Sequence, residues 1–379
     1  MFKSGIANLP LHGGSCPRWL FPIMKKLGGA ISGALIYEYG QQEFLKRLAD
    51  PYWLQSFGSV IGFDWHSSGL TTTTLGALKE SINNQNLGIK IAGGKGNESK
   101  KVLEEIENSV FNLSENKVEK LKYSSRMSAK VDNCLMQDGY QLYHHSFVFD
   151  EKGNWVVVQQ GMNSENKYAR RYHWLSGTVS DFVEEPHNAI CCDSRNNSTL
   201  DLTSRDNYKV KKISVDLVND DINNLNKYFN IRIRSDKNNS IQKTIYEFDE
   251  NAKNQTKIFT MAPKHTIIYM DKRNIETLKK AHEFQPQNYE ELVSIKGIGA
   301  KTIRSLALVS ELIYGTEINW KDPVKYSFAH GGKDGIPYPV DRKLMDDNTE
   351  ILRNAIKDAK LGNKEKLSAI GRLGRLYVS

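Results

Sequence analysis

The chain has 379 residues and a mass of 43.1 kDa, long enough for two ordinary domains. Hydrophobic residues make up 39% and charged residues 25%, a globular balance that excludes a fibrous or wholly disordered protein, and the mean hydropathy of −0.53 points to a polar, soluble surface. The net charge of +8 is unevenly placed: residues 251–379 carry 22 Lys plus Arg against 15 Asp plus Glu, whereas residues 1–250 carry 30 against 29. A positive excess concentrated in the C-terminal third favours a polyanionic partner.

Four cysteines, Cys16, Cys134, Cys191 and Cys192, show no zinc-ribbon or finger spacing, and an adjacent pair does not readily close an ordinary disulfide. This usage fits a reducing cytoplasm, so a cytoplasmic location is expected. The N-terminus lacks a basic-then-apolar signal peptide, and the apolar stretch 20–39 is interrupted by Lys25, Lys26 and Glu38, so no membrane partner is expected.

In chain order, helical periodicity predicts helices over 19–27 and 31–48, then over 75–82 after a loop of small and polar residues ending in Thr71 to Thr74. Such a loop places backbone donors at a helix N-terminus. Residues 89–101 read as a strand turning into the glycine loop Gly93-Gly94-Lys95-Gly96, followed by a helix from about Ser99 to Val110. Residues 140–149 and 154–160 predict paired strands joined at Asp150-Glu151-Lys152-Gly153. Between 193 and 260 the composition shifts to Asn, Asp, Lys and Ser, the pattern of an interdomain region, helical around 220–229. The expected organisation is therefore α+β: a mixed α/β N-terminal domain with antiparallel hairpin strands over 1–192, a polar interdomain region over 193–260, and a mostly helical domain over 261–379.

Within the last domain, 292–315 reads as a helix-hairpin-helix. One short helix ends at Ile295 and another begins near Ala300. Gly297 and Gly299 allow a tight turn with no side chain in the way of a phosphate, so backbone N–H groups and a helix N-terminus can point at its oxygens. Lys296 and Lys301 add charge, Ile298 and Thr302 complete the candidate nucleic-acid-binding set, and Leu292, Ile295, Ile303 and Leu306 supply packing between the helices. Contacts of this kind are directed at the backbone and largely independent of sequence.

The other constellation is N-terminal: Asp64 and His66; Asp138, His144, His145, Asp150, Gln159 and Gln160; Arg170, Arg171, Tyr172, His173 and Trp174; and Glu184, Glu185 and His187. Carboxylates with histidine can hold Mg²⁺, Mn²⁺ or Zn²⁺ and activate water against a phosphodiester, with arginine countering phosphate charge. On this reading Asp64, His66, His144 and Asp150 are the metal ligands, and Asp64, His66, Asp138, His144, Arg171 and His173 form the catalytic set. Arg170 joins the nucleic-acid contacts, with Tyr168, Tyr172 and Trp174 available to stack bases. Strand alternation sends His144 and His145 to opposite faces unless a bulge intervenes. Neither Gly93-Gly94-Lys95-Gly96 nor the loop 330–335 has Walker spacing, so no nucleotide or organic cofactor is expected.

Two resemblances add to these readings. The hairpin resembles the lysine-bearing motif of helix-hairpin-helix base-excision glycosylases. There the resemblance implies a nucleophilic lysine at Lys301 and an assisting aspartate at Asp341 in its Pro339-Val340-Asp341 setting, although the separation of 40 residues is longer than that family usually has. The bland readings are a phosphate contact for Lys301 and a helix N-cap for Asp341. The runs Gly62-Phe63-Asp64-Trp65-His66-Ser67-Ser68-Gly69, Gln137-Asp138-Gly139-Tyr140, Gln159-Gln160-Gly161-Met162-Asn163, Ala169-Arg170-Arg171-Tyr172-His173-Trp174 and Phe328-Ala329-His330-Gly331-Gly332 resemble prokaryotic domain-of-unknown-function family 763 along nearly the whole chain. That resemblance implies an intracellular protein and leaves the chemistry to the residues. The expectation is a DNA-binding protein of genome maintenance or repair, with DNA favoured over RNA. Three chemistries stay open: metal-dependent nuclease, glycosylase or lyase through Lys301 and Asp341, and binding without turnover.

Overall fold

The computed structural model describes residues 16–63, 67–109, 111–192, 199–220, 272–324, 342–359 and 361–375. It is an α+β protein whose chain groups into two compact units, one formed by 1–205 with 319–379 and the other by 206–318. The expected helical domain over 261–379 is thereby corrected. The hairpin segment groups with residues from 206 onward, and the chain from Asn319 returns to the strand-bearing unit.

In the first unit three helices come first: α1 (Leu20–Ala49), α2 (Pro51–Val60) and α3 (Gly69–Ile82). The predicted break between two early helices falls at Gly40, whose φ of 83° interrupts α1, rather than near residue 30. Asp50 ends α1 and caps α2, accepting from the N–H groups of Tyr52 and Trp53, while Pro51 sits where a helix has no use for an N–H. The threonine run, expected in a loop, lies inside α3. Thr71 and Thr74 are fully buried, so packing against neighbouring elements overrides their weak helix propensity.

Next come β1 (Ile89–Lys95), a 3₁₀ turn (Gly96–Lys101), α4 (Val102–Glu107) and α5 (Glu115–Cys134). Strands β2 (Met136–Gln137), β3 (Gln141–Asp150), β4 (Trp155–Asn163), β5 (Tyr168–Leu175), β6 (Ala189–Cys191) and β7 (Leu200–Asp201) follow. Five form an antiparallel sheet in the order β1-β3-β4-β5-β6, and β2 pairs with β7. The expected hairpin is the β3–β4 pair, turned by Asp150, whose carboxylate accepts from the N–H groups of Lys152 and Asn154 and from the Asn154 amide.

Both faces of this sheet are covered, which is why its strands read as long runs of buried residues. On one face Val148, Val156 and Val158 join Leu27, Ile31, Trp53, Phe57, Leu75 and Leu78 in a single core. Helices α10 (Arg342–Asp358) and α11 (Asn363–Arg375) add Leu352, Ile356 and Ala369 to it. On the other face Phe147, Trp155, Val157, Tyr172 and Trp174 lie towards α5 and the Phe182 ring. Each buried apolar side chain contributes roughly 1.5–3 kcal/mol relative to exposure, so this double packing is what makes the sheet a rigid platform.

The second unit is helical where described: α6 (Tyr208–Asn219), α7 (Lys272–Phe284), α8 (Tyr289–Ser294) and α9 (Ala300–Tyr314). Helix α6, which the sequence reading left within a polar interdomain region, packs against α7, α8 and α9. The helix expected around 220–229 lies outside the described residues, as does the glycine loop 330–335.

The glycine loop at the end of β1 serves the sheet. Gly93 has φ 85°, and a Cβ there would lie 2.2 Å from the His145 carbonyl oxygen, whereas Gly96 has φ 61° with open space around it. The Gly93 N–H donates to Glu105 Oε2 at 2.6 Å, so a protein carboxylate occupies the position a phosphate would take. Gly93→Ala should therefore lower the unfolding free energy by about 2 kcal/mol or more, and Gly96→Ala by about 1 kcal/mol. Urea denaturation of the two variants checks this; equal losses would contradict it.

Candidate functional site

Strand alternation decides which sequence-predicted residues can meet. Cross-strand register places Lys95, His144, Gln160, Arg171 and Cys191 opposite one another in a row across all five strands. They share the face that carries the helical core of α1 to α3. A register shift between Leu142 and His144 marks a bulge at Tyr143. It brings the Tyr143 hydroxyl to Gln160, whose Nε2 donates to that oxygen and to the Ser68 carbonyl at 2.8 Å. Arg171 donates from Nη1 to Gln55 Oε1 (3.2 Å) and Thr71 Oγ1 (3.0 Å) and from Nη2 to the Pro51 carbonyl (3.2 Å). His144 Nε2 pairs with Ser146 Oγ at 2.9 Å, and His173 Nδ1 with the Leu48 carbonyl at 3.1 Å.

Among the described residues, the members of the catalytic set read from the sequence do not share one centre. His144, Arg171 and His173 share the helix-core face, but Asp138 is held from the opposite one. It accepts from Arg170 Nη1 (2.9 Å), the Tyr172 hydroxyl (2.6 Å) and the Tyr140 N–H (3.0 Å). Arg170 and Arg171 are sequence neighbours and so point to opposite faces. Asp150 is bound into its own turn, which corrects its reading as a metal ligand. Asp64 and His66 lie outside the described residues, as does Asp341. Among the described residues no three His, Cys, Asp or Glu side chains come together as a metal site would require.

Arg170 is also corrected as a nucleic-acid contact. It is 0% exposed, its Nη1 and Nη2 reach Asp322 at 3.1 and 2.7 Å, and its guanidinium lies 4.7 Å from the Tyr140 ring centroid. Burial opposes its charge, but Asp138 and Asp322 more than offset this and hold it protonated well above the usual arginine range.

A second buried network was missed in part. Ser125 Oγ contacts His145 Nε2 (2.9 Å), and His145 Nδ1 contacts Gln159 Oε1 (2.8 Å). Gln159 Nε2 donates to Asp132 Oδ2 (2.6 Å), which also accepts from Trp174 Nε1 (3.1 Å), while His187 Nε2 bonds Asp132 Oδ1. Because Gln159 gives its N–H to Asp132, its oxygen must accept from His145 Nδ1–H, so Ser125 donates to Nε2. Asp132 was the overlooked member. Its signal is an acidic residue on the stripe Leu121, Ser125, Ser128, Asp132, buried along α5.

In the second unit the hairpin residues lie together. Asn288 Oδ1 caps α8 by accepting from the Glu291 N–H at 2.9 Å, and the Glu291 carboxylate accepts from the Gln287 N–H at 2.8 Å, a reciprocal cap. Residues 295–299 turn the chain into α9, whose N-cap Gly299 supplies no side-chain cap and whose first turn has no acidic residue. Gly297 has φ 100°, and a Cβ there would meet Thr277 of α7 at 2.9 Å, so the turn sits directly on that helix. Lys296 and Lys301 are exposed. Ile298 and Thr302, 2% and 1% exposed, are buried, so neither offers a side chain to a ligand.

A family model described as "Protein of unknown function (DUF763)" matches residues 5–340. The chain belongs to this family. Among curated proteins and among solved structures nothing matches. The DUF763 match takes in the sheet, both polar networks and the whole hairpin segment. No described helix is long and apolar enough to cross a membrane.

Burial pushes His144 down to about 3 and His145 to about 4, so both are neutral imidazoles at physiological pH. The unfolded chain binds a proton at each near pH 6.5 and the folded chain does not. Stability from this source is therefore full above pH 6.5 and is lost as pH falls towards 4 and 3. Asp132, raised by burial, acts in the opposite sense, its contribution being lost as pH rises from 3.8. Between pH 6.5 and 4.5 the unfolding free energy should fall by about 1.4 kcal/mol per pH unit for each histidine. His144→Asn should remove one such increment from the slope, measured by urea denaturation across that range; an unchanged slope would contradict the assignment.

Proposed function

We propose that this DUF763 chain is a DNA-binding protein of genome maintenance that grips the phosphate backbone through the turn between α8 and α9. One observation carries the reading. The N-terminus of a 15-residue helix, without a side-chain cap or first-turn acid, follows a glycine turn flanked by exposed Lys296 and Lys301. The positive end of a helix, where the first-turn N–H groups point outward along the axis, favours an anion, and the lysines add long-range attraction for phosphates. The apolar residues Leu292, Ile298, Ile303 and Leu306 are buried, so they hold the turn and leave the contact to backbone and lysine.

Support is unequal among the chemistries. Lys301 is exposed, without the apolar surround that activates a nucleophilic amine, which favours the phosphate contact. The metal-dependent nuclease reading gains nothing from a catalytic set divided between two faces of one sheet. Binding is the function the geometry supports best.

Fluorescence anisotropy with a random-sequence oligonucleotide tests it. Affinity should fall with salt, and Lys296→Glu with Lys301→Glu should weaken binding at least tenfold and lower the log–log salt slope by about 2. Salt-independent binding, or full binding by that variant, would overturn the proposal.

A further inference from the structure

We infer that α7 extends the hairpin into a track for single-stranded DNA, with Arg273 and Lys280 on phosphates and Phe284 stacking an unpaired base. This rests on the backbone-gripping reading of the hairpin. The anchor is the contact of Gly297 with Thr277, which fixes the turn against one line of α7. At 3.6 residues per turn, Arg273 and Lys280 project about 40° and 60° to one side of Thr277, and Phe284 about 20° to the same side. Along the axis Arg273 lies about 6 Å before Thr277, Lys280 about 4.5 Å after it and Phe284 about 10 Å after it. The acids of this helix, Glu276 and Glu283, project about 100° and 120° round from Thr277, beyond the cations.

Two properties of this line suit a polyanion whose bases are exposed. Some surface lysines of the first unit are tied to carboxylates, as in Lys25–Glu80, Lys26–Glu365, Lys101–Glu98 and Lys122–Glu119, while others, such as Lys46, Lys95 and Lys152, are not. Among the described residues Arg273, Lys280, Lys296 and Lys301 form no such pair, so their charge is available to a polyanion. Phe284 is 59% exposed at the end of this cationic line. A phenyl ring there has no phosphate to attract, but it offers the flat apolar surface on which an unstacked base gains contact, and a base inside a duplex is not free to use it. Phosphate grip and stacking on one helix line together select a strand whose bases are exposed.

The test uses the full chain, with anisotropy of a labelled thymidine oligomer of about 20 nucleotides and of a duplex of about 20 base pairs, and circular dichroism to verify folding of each variant. Phe284→Ala should weaken single-strand binding about tenfold and leave duplex binding within about twofold. Arg273→Glu with Lys280→Glu should weaken both and reduce the salt slope by about 1.5 on the single strand. If these α7 variants bind like wild type while Lys296→Glu with Lys301→Glu abolishes binding, the track is wrong and the hairpin reading stands. If the wild-type chain binds neither probe, both fall. Loss of duplex and single-strand binding in equal measure on Phe284→Ala would remove the stacking role.

Discussion

The buried cluster of Arg170 with Asp138 and Asp322 is the constraint on which the first unit depends. It joins three distant stretches: the turn before β3, the middle of β5, and the segment by which the chain returns after the second unit. A guanidinium removed from water is costly, and it is tolerated here because two carboxylates, the Tyr140 ring and a fork of hydrogen bonds replace its hydration. The same cost gives the cluster its specificity. A chain that brought either aspartate elsewhere would leave an uncompensated charge in an apolar interior, so the return segment has one acceptable place. The second unit is in effect a long insertion, and this cluster closes the fold behind it.

The sheet then imposes a division of labour through its two-residue period. Arg170 and Arg171 look like one basic pair in the sequence, but adjacent strand residues face opposite layers. One becomes the centre of an ionic lock on the α5 side. The other is spent on Gln55, Thr71 and the Pro51 carbonyl, tying β5 to the ends of α2 and α3. The same rule separates His144 from His145 and Gln159 from Gln160. Most of the conspicuous polar residues of the N-terminal half are thus committed to holding helices on a sheet.

What was legible in the sequence follows the range of the physics. Local signals were readable: the β3–β4 hairpin from Asp150 to Gly153, the glycines between α8 and α9, and the opposite facing of His144 and His145. Contacts distant in sequence were not. Nothing near Arg170 announces Asp322, 152 residues away, and nothing in residues 319–324 says that they leave the hairpin's unit. Thr71 to Thr74 misled for a related reason, since propensity favours a loop while burial of Thr71 and Thr74 selects a helix. The described members of the catalytic constellation fall on two sheet faces because Asp138 and Arg171 were grouped by residue type without regard to the face each serves. A histidine buried between packed layers is held by hydrogen bonds and kept neutral, and composition alone does not distinguish it from one that meets solvent.

These constraints also bear on the binding surface proposed for the second unit. A residue that holds a fold together is buried and bonded within the protein, whereas a residue that binds a transient polyanion must keep its charge in water until the partner arrives. Arg170 and Arg171 satisfy the first condition and Lys296, Lys301, Arg273 and Lys280 the second. The glycine turn reconciles the two within one motif. Gly297 lets the backbone lie against Thr277 with no side chain between, Ile298 is buried beneath it, and Lys296 and Lys301 are left on the outside. Because the rigid part is apolar and the recognising part is backbone, such a site can hold any phosphate chain while reading no base through the turn itself. Selectivity must then come from what stands next to it.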